Sequence, residues 1–162
     1  MSEKTTINLA SAFVNCGTQY PFSCQFDATD ALPFVNAKAV AARFDGEFSF
    51  EDPDISVVGN ITVGVEGLCD RCGGALKRKF VLPFDQIFYK DADPDCYTYS
   101  GGWLDIEKAL YDELSLSLPT LLLCRDDCKG ICVKCGANLN ETSCSCDTSK
   151  PNAFSVLKDL KF

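Results

Sequence analysis

The alternation of apolar and polar positions divides the chain into a strand-rich front and a single helical stretch behind it. Residues 5–14 are rich in β-branched and small side chains with partial alternation, and predict an opening strand. Residues 21–36 carry Pro21 and Pro33 without a sustained period and predict irregular chain. In 38–50, Val40, Ala42 and Phe44 are followed by Phe48 and Phe50 on either side of Asp45-Gly46, which predicts a hairpin of two short strands. Residues 55–68, with Val57, Ile61, Val63 and Val65, read as a strand whose glycines suit bulges or close packing. Beyond Cys69-Asp70-Arg71-Cys72-Gly73-Gly74, the residues Phe80, Leu82 and Phe84 repeat at every second position. That pattern predicts a strand over 76–89, so the cysteine turn lies between two antiparallel strands.

Residues 90–102 are acidic and turn-rich and predict a loop. Over 103–118 the period changes: Ile106, Ala109, Leu110, Leu114 and Leu118 fall at helical spacing. Asp105 and Glu107 sit where a helix dipole favours negative charge, and Pro119 stops the helix. Near the end, Phe154, Leu157 and Leu160 share one face of a predicted short amphipathic helix over 151–160, with Phe154, Val156 and Leu157 expected to dock it onto the body. The elements together predict an α+β fold with an antiparallel, barrel-like sheet, one main helix and a zinc-bound C-terminal segment. We expect a β-rich core over 1–123 containing the helix at 103–118, and a cysteine-rich segment with its tail over 124–162, joined as one integrated fold.

A length of 162 residues, an apolar fraction of 46% and twelve Phe are enough for one ordinary core. The first residues, Met1-Ser2-Glu3-Lys4-Thr5-Thr6, lack the basic and apolar regions of a secretory signal, and no apolar run approaches a membrane span. A cytoplasmic protein without membrane attachment is expected. In that compartment eleven Cys, an odd number, do not read as a disulfide framework, because thiols stay reduced unless a metal holds them.

Two Cys-x-x-Cys-Gly knuckles are present, Cys69/Cys72 with Gly73 and Cys132/Cys135 with Gly136. Each can offer two sulfurs to a tetrahedral zinc from one tight turn. Cys124 with Cys128 and Cys144 with Cys146 bring the count to eight, enough for two zinc ions, while Cys16, Cys24 and Cys96 stand apart as small hydrophobes. Loop-closure entropy favours a local set of Cys132, Cys135, Cys144 and Cys146, leaving Cys69, Cys72, Cys124 and Cys128 to staple the strands to the end of the helix. The other arrangement joins the two knuckles to each other, and a single occupied site is a third. Four thiolates close the coordination sphere and leave no place for a reactive water, so the metal is expected to be structural. The absence of His removes Ser-His, Cys-His and His-zinc chemistry, and the chain is not expected to be an enzyme.

The formal charge of −8 disfavours long-range attraction to nucleic acid, and eight thiolates around two zinc ions would add roughly −4. A local RNA contact remains open through Lys77, Arg78 and Lys79, with Tyr89, Tyr97 or Tyr99 as stacking platforms.

Cys69-Asp70-Arg71-Cys72 after a β-rich stretch, Asp105-Ile106-Glu107 leading to Leu116-Ser117-Leu118-Pro119, and the run from Cys124 through Cys128, Cys132 and Cys135 to Asn140 resemble the YceD family, as does the tail from Asn152 to Leu157. Ala153 stands where that family usually has Pro. The resemblance runs from about residue 38 to the end. It implies a non-enzymatic bacterial or plastid protein needed for accumulation of large-subunit ribosomal RNA. Joined to the acidic charge, it makes the expected partner a basic ribosomal protein or a ribosome assembly intermediate. Direct ribosomal RNA binding by a zinc protein, or less directly a thiol redox role, are the alternatives.

Overall fold

The computed structural model describes residues 5–90 and 96–146. Its main feature is a five-stranded sheet in the order β2-β3-β4-β5-β6, formed by β2 (Tyr20–Phe26), β3 (Ala37–Glu51), β4 (Asp54–Leu68), β5 (Ala75–Lys90) and β6 (Thr98–Tyr99). The first four pair antiparallel, and β6 joins β5 in parallel through Tyr89 and Lys90. A second sheet pairs β1 (Thr6–Asn8) with β7 (Trp103–Asp105), and among the described residues two α-helices, α1 (Ala10–Val14) and α2 (Glu107–Ser117), and a 3-10 turn at Thr29–Ala31 accompany the sheets. The α+β class and antiparallel character hold, but the sheet is open and not the expected barrel: β2 and β6 end its strand order and do not pair.

The expected hairpin at Asp45-Gly46 is instead the middle of one 15-residue strand, and the turn falls at Asp52-Pro53. Phe44, Phe48 and Phe50 lie on one face with Gly46 in phase between them, directly opposite Gly59 of β4. A Cβ on Gly46 would stand 2.3 Å from the Val58 carbonyl oxygen and 2.6 Å from the Phe44 ring. Glycine here is required by the close approach of two strands and a ring, not by a turn.

Residues 20–26, read as irregular, form β2, in which Tyr20, Phe22, Cys24 and Phe26 face inward at period two. Pro21 is tolerated because β2 is an edge strand with no further ladder to donate to. The expected strand over 5–14 splits, since only 6–8 is extended and α1 follows. The expected helix over 103–118 starts later, because Leu104 pairs with Ile7 in the small sheet. Asp105 Oδ1 then accepts from the Glu107 amide at 3.0 Å, which satisfies a backbone N–H that the first turn of α2 leaves free. Part of the expected loop over 90–102 is β6, and the helix expected over 151–160 lies outside the described residues.

The core lies between one face of the large sheet and the helices. Ile55, Val57, Ile61, Val63 and Val65 of β4 are buried there with Phe44, Phe84 and Phe88. Ala109, Leu110 and Leu114 form the buried stripe of α2. The opposite face of β3, β4 and β5 carries exposed residues such as Glu47, Val58 and Asp85.

Candidate metal centres

The two knuckles take the same backbone path. In the first, the Cys69 amide donates to Gly74 O at 2.9 Å and the Gly73 amide to Cys69 O at 2.8 Å. In the second, the Cys132 amide donates to Ala137 O at 2.8 Å and the Gly136 amide to Cys132 O at 2.9 Å. Gly73 and Gly136 adopt φ of 69° and 72°, a left-handed turn that costs glycine least. The first knuckle spans the gap between β4 and β5.

Two quartets assemble, Cys69, Cys72, Cys124 and Cys128 in one, and Cys132, Cys135, Cys144 and Cys146 in the other, with the sulfurs of each within 4.8 Å of one another. The knuckles are not joined to each other. Cys69 and Cys128 place their sulfurs 3.8 Å apart, as do Cys72 and Cys124. Four sulfurs around a tetrahedral zinc at about 2.3 Å stand about 3.8 Å from each other, whereas a disulfide needs about 2.05 Å. None of the described cysteines forms a disulfide, and Cys16, Cys24 and Cys96 belong to neither quartet. The geometry therefore fits a divalent metal in two closed, all-sulfur sites.

Three residues that spacing does not single out hold the first quartet together. Asp70 is clamped to the segment after α2: its amide donates to Leu122 O at 2.9 Å, and its carboxylate accepts from the Leu122 amide at 2.6 Å. Arg71 donates to Cys128 O at 3.2 Å. Asn140, which belongs to the loop between Cys135 and Cys144, donates through Nδ2 to Cys128 Sγ at 3.3 Å. Its Oδ1 accepts from the Lys129 amide at 2.8 Å and from Arg125 at 2.7 Å. One side chain thus runs from the loop of the second quartet to a sulfur of the first.

The thiols within each quartet compete for ionisation. Burial pushes the Cys69 thiol up, but amides of Cys124, Cys72 and Arg71 outweigh it and hold the thiol down to about 6. The amides of Cys135 and Lys134 likewise hold Cys132 down to about 6. In answer, Cys124 is pushed up to about 12 by burial and its neighbouring sulfurs, and Cys146 to about 12 by Cys135, burial and Cys132. Four crowded sulfurs cannot all ionise alone; a divalent cation removes that conflict.

Lys77, Arg78 and Lys79 do not form one basic surface. They alternate on β5, so Arg78 faces the core side with Val65, while Lys77 and Lys79 face the other way. Lys77 pairs with Glu66 at 2.6 Å, and Arg78 donates to Leu123 O at 3.1 Å and pairs with Asp126 at 3.3 Å. Of the tyrosines, Tyr99 is buried and donates to Pro53 O, and Tyr97 donates to Asp112 at 2.8 Å, leaving Tyr89 exposed.

A family model described as large ribosomal RNA subunit accumulation protein YceD matches residues 57–161, a span that includes both quartets. A chloroplastic large ribosomal RNA subunit accumulation protein, YCED homolog 1 of Zea mays, is 41% identical over 77 residues, covering 47% of this chain and 24% of the maize protein. Its namesake in Arabidopsis thaliana is 44% identical over 59 residues, covering 36% of this chain and 18% of that protein. An uncharacterized protein of Mycobacterium leprae is 28% identical over 101 residues, covering 53% of this chain and 43% of its own length. The match spans less than half of each of these relatives. No solved structure matches the chain.

Proposed function

The chain belongs to the YceD family of large ribosomal RNA subunit accumulation proteins, and from that premise we propose that it is a non-catalytic factor of large-subunit biogenesis. In this reading it is held by two zinc ions, acts in the bacterial cytoplasm and binds a basic ribosomal protein or an assembly intermediate. The observation that carries the non-catalytic part is the closure of both quartets: four sulfurs fill a tetrahedral zinc and leave no site for water or substrate. Zinc is the metal of choice because an all-thiolate tetrahedral set suits it and excludes magnesium and calcium, which demand oxygen.

A protein partner is favoured over naked RNA by charge. The chain carries −8 before any thiolate is counted, and Arg78 is already engaged by Leu123 and Asp126. Direct RNA contact through Lys77 and Lys79 is the second reading, because both are exposed on one side of β5.

Native mass spectrometry of the wild type, Cys69→Ser and Cys132→Ser tests the metal. Two zinc ions should fall to one in each variant; reactive thiols without metal would turn the reading toward redox chemistry. Binding to ribosomal RNA fragments and to small basic ribosomal proteins at two salt concentrations tests the partner. Steeply salt-dependent affinity for naked RNA would select the second reading.

A further inference from the structure

The solvent face of the large sheet has a charge order along the strands. On the rows from Asp54 to Asn60 of β4, the outward residues include Asp54 with Glu51 opposite, Val58 between Glu47 and Asp85, and Asn60 beside Asp45. These five carboxylates share that half of the face with no Lys or Arg among the described residues. On the rows from Thr62 to Glu66, Arg43 lies beside Thr62, Lys79 beside Gly64, and Glu66 between Lys38 and Lys77. Four cations face one carboxylate there. Arg43 reaches back to Asp45 across the boundary. Like charges placed directly across strands destabilise a sheet, and Glu51 opposite Asp54 has no cation on its own rows to offset it.

Along the boundary and the acidic half runs an apolar band. Val58, Val81 and Ile87 are 43%, 59% and 46% exposed on this same face. Pro83 lies exposed between Val81 and Asp85. A face that is acidic along one half, basic along the other and apolar beside their boundary fits a partner with the reverse charge order. A basic peptide would match only one half and be repelled by the other.

We propose that this face binds a second copy of the chain, packed sheet on sheet about a two-fold axis that sets the acidic end of each copy against the basic end of the other. Such an interface is self-complementary, because every contact made by one protomer is returned by its partner. It places Glu47 and Asp85 opposite Lys38 and Lys79, and the pair Val81 and Pro83, which lie beside the axis, against the same pair of the other copy. At about 3.4 Å per residue and about 4.8 Å between strands, the rows from Asp54 to Glu66 across β3–β5 cover roughly 600 Å² per copy in projection. Two copies would bury on the order of 1,200 Å², the lower bound for a specific interface. A modest, salt-sensitive dimer follows, steered by the charges and held by the apolar band.

The test is sedimentation velocity on the full, metal-loaded chain over a concentration series, with two variants, Glu47→Lys/Asp85→Lys and Lys38→Glu/Lys79→Glu. All four positions are exposed, and unchanged circular dichroism and melting confirm that each variant folds. The wild type should approach twice the single-chain mass, with association falling by about tenfold or more at high salt. Each variant alone should remain monomeric, because its reversed residues meet like charges. An equal mixture of the two should restore a heterodimer, in which the lysines introduced at positions 47 and 85 of one copy face the glutamates introduced at 38 and 79 of the other, while native Lys38 and Lys79 face native Glu47 and Asp85. A wild type that stays monomeric at every concentration overturns the proposal, including the case in which it instead captures a lysine-rich peptide or an RNA fragment on this face. So does a dimer that neither charge reversal weakens, or variants that fail to recombine.

Discussion

Single side chains decide how firmly the first quartet is held. Asn140 donates to Cys128 Sγ and is itself fixed by Arg125 and the Lys129 amide. A donor of this kind orients a ligand and stabilises its thiolate, and its loss ordinarily costs 10–100-fold in metal affinity. Asn140→Ala should therefore weaken zinc at the first quartet by about tenfold while leaving the second ion in place, measured by competition with a chromogenic chelator. Tyr97 allows a test of pH. Burial and the Asp112 acceptor push its hydroxyl up to about 12 in the fold. A folded pKa above the unfolded value of about 10 contributes stability that is fully present below pH 10 and lost as pH rises through 12. Tyr97→Phe should flatten the decline of the melting temperature between those values and cost about 1 kcal/mol at neutral pH.

At the level of elements, the long β3–β4 hairpin depends on two glycines facing one another. Gly46→Ala would drive a Cβ into the backbone of Val58 and the ring of Phe44, so the strands or the core must shift. We expect a loss of about 2–3 kcal/mol in urea denaturation. A glycine in an exposed two-residue turn, as the hairpin reading would have it, lacks these neighbours. The clue was present in the chain: Ala42, Phe44, Phe48 and Phe50 keep one parity across Gly46, whereas the dipeptide Asp45-Gly46 imitates a turn. The same parity in Tyr20, Phe22, Cys24 and Phe26 marks β2, obscured by a proline that only an edge strand accepts. Local residue chemistry suggested punctuation where phase indicated continuity.

For the molecule as a whole, the two quartets contribute unequally. The first joins residues 52 and 59 positions apart, Cys72 to Cys124 and Cys69 to Cys128, and ties the end of β4–β5 to the segment after α2. The second closes a short loop within 132–146. A constraint on a long loop removes more unfolded-state entropy than one on a short loop. Cys69→Ser should accordingly lower the melting temperature by on the order of 10 °C, and by more than Cys132→Ser, in a thermal melt followed by circular dichroism. Chelation of both ions should at least match the larger effect.

The inventory of chemistry was legible in the chain alone. Eight cysteines in knuckles and close pairs, no His and an acidic balance point to metal in thiolate cages whatever the fold, because those properties belong to residue types and short spacings. The strand on each side of the first knuckle and the main helix were equally visible, since their apolar periods are local. Three-dimensional contact decided the rest. It separated Arg78 from Lys77 and Lys79 by the pleat, drew Asp70, Arg71 and Asn140 around the sulfurs, and started α2 after a strand that only β1 could complete. It also left the sheet open, with its charges sorted along the solvent face by register. Register and edge position depend on which strands meet, a pairing between distant residues that no local period encodes.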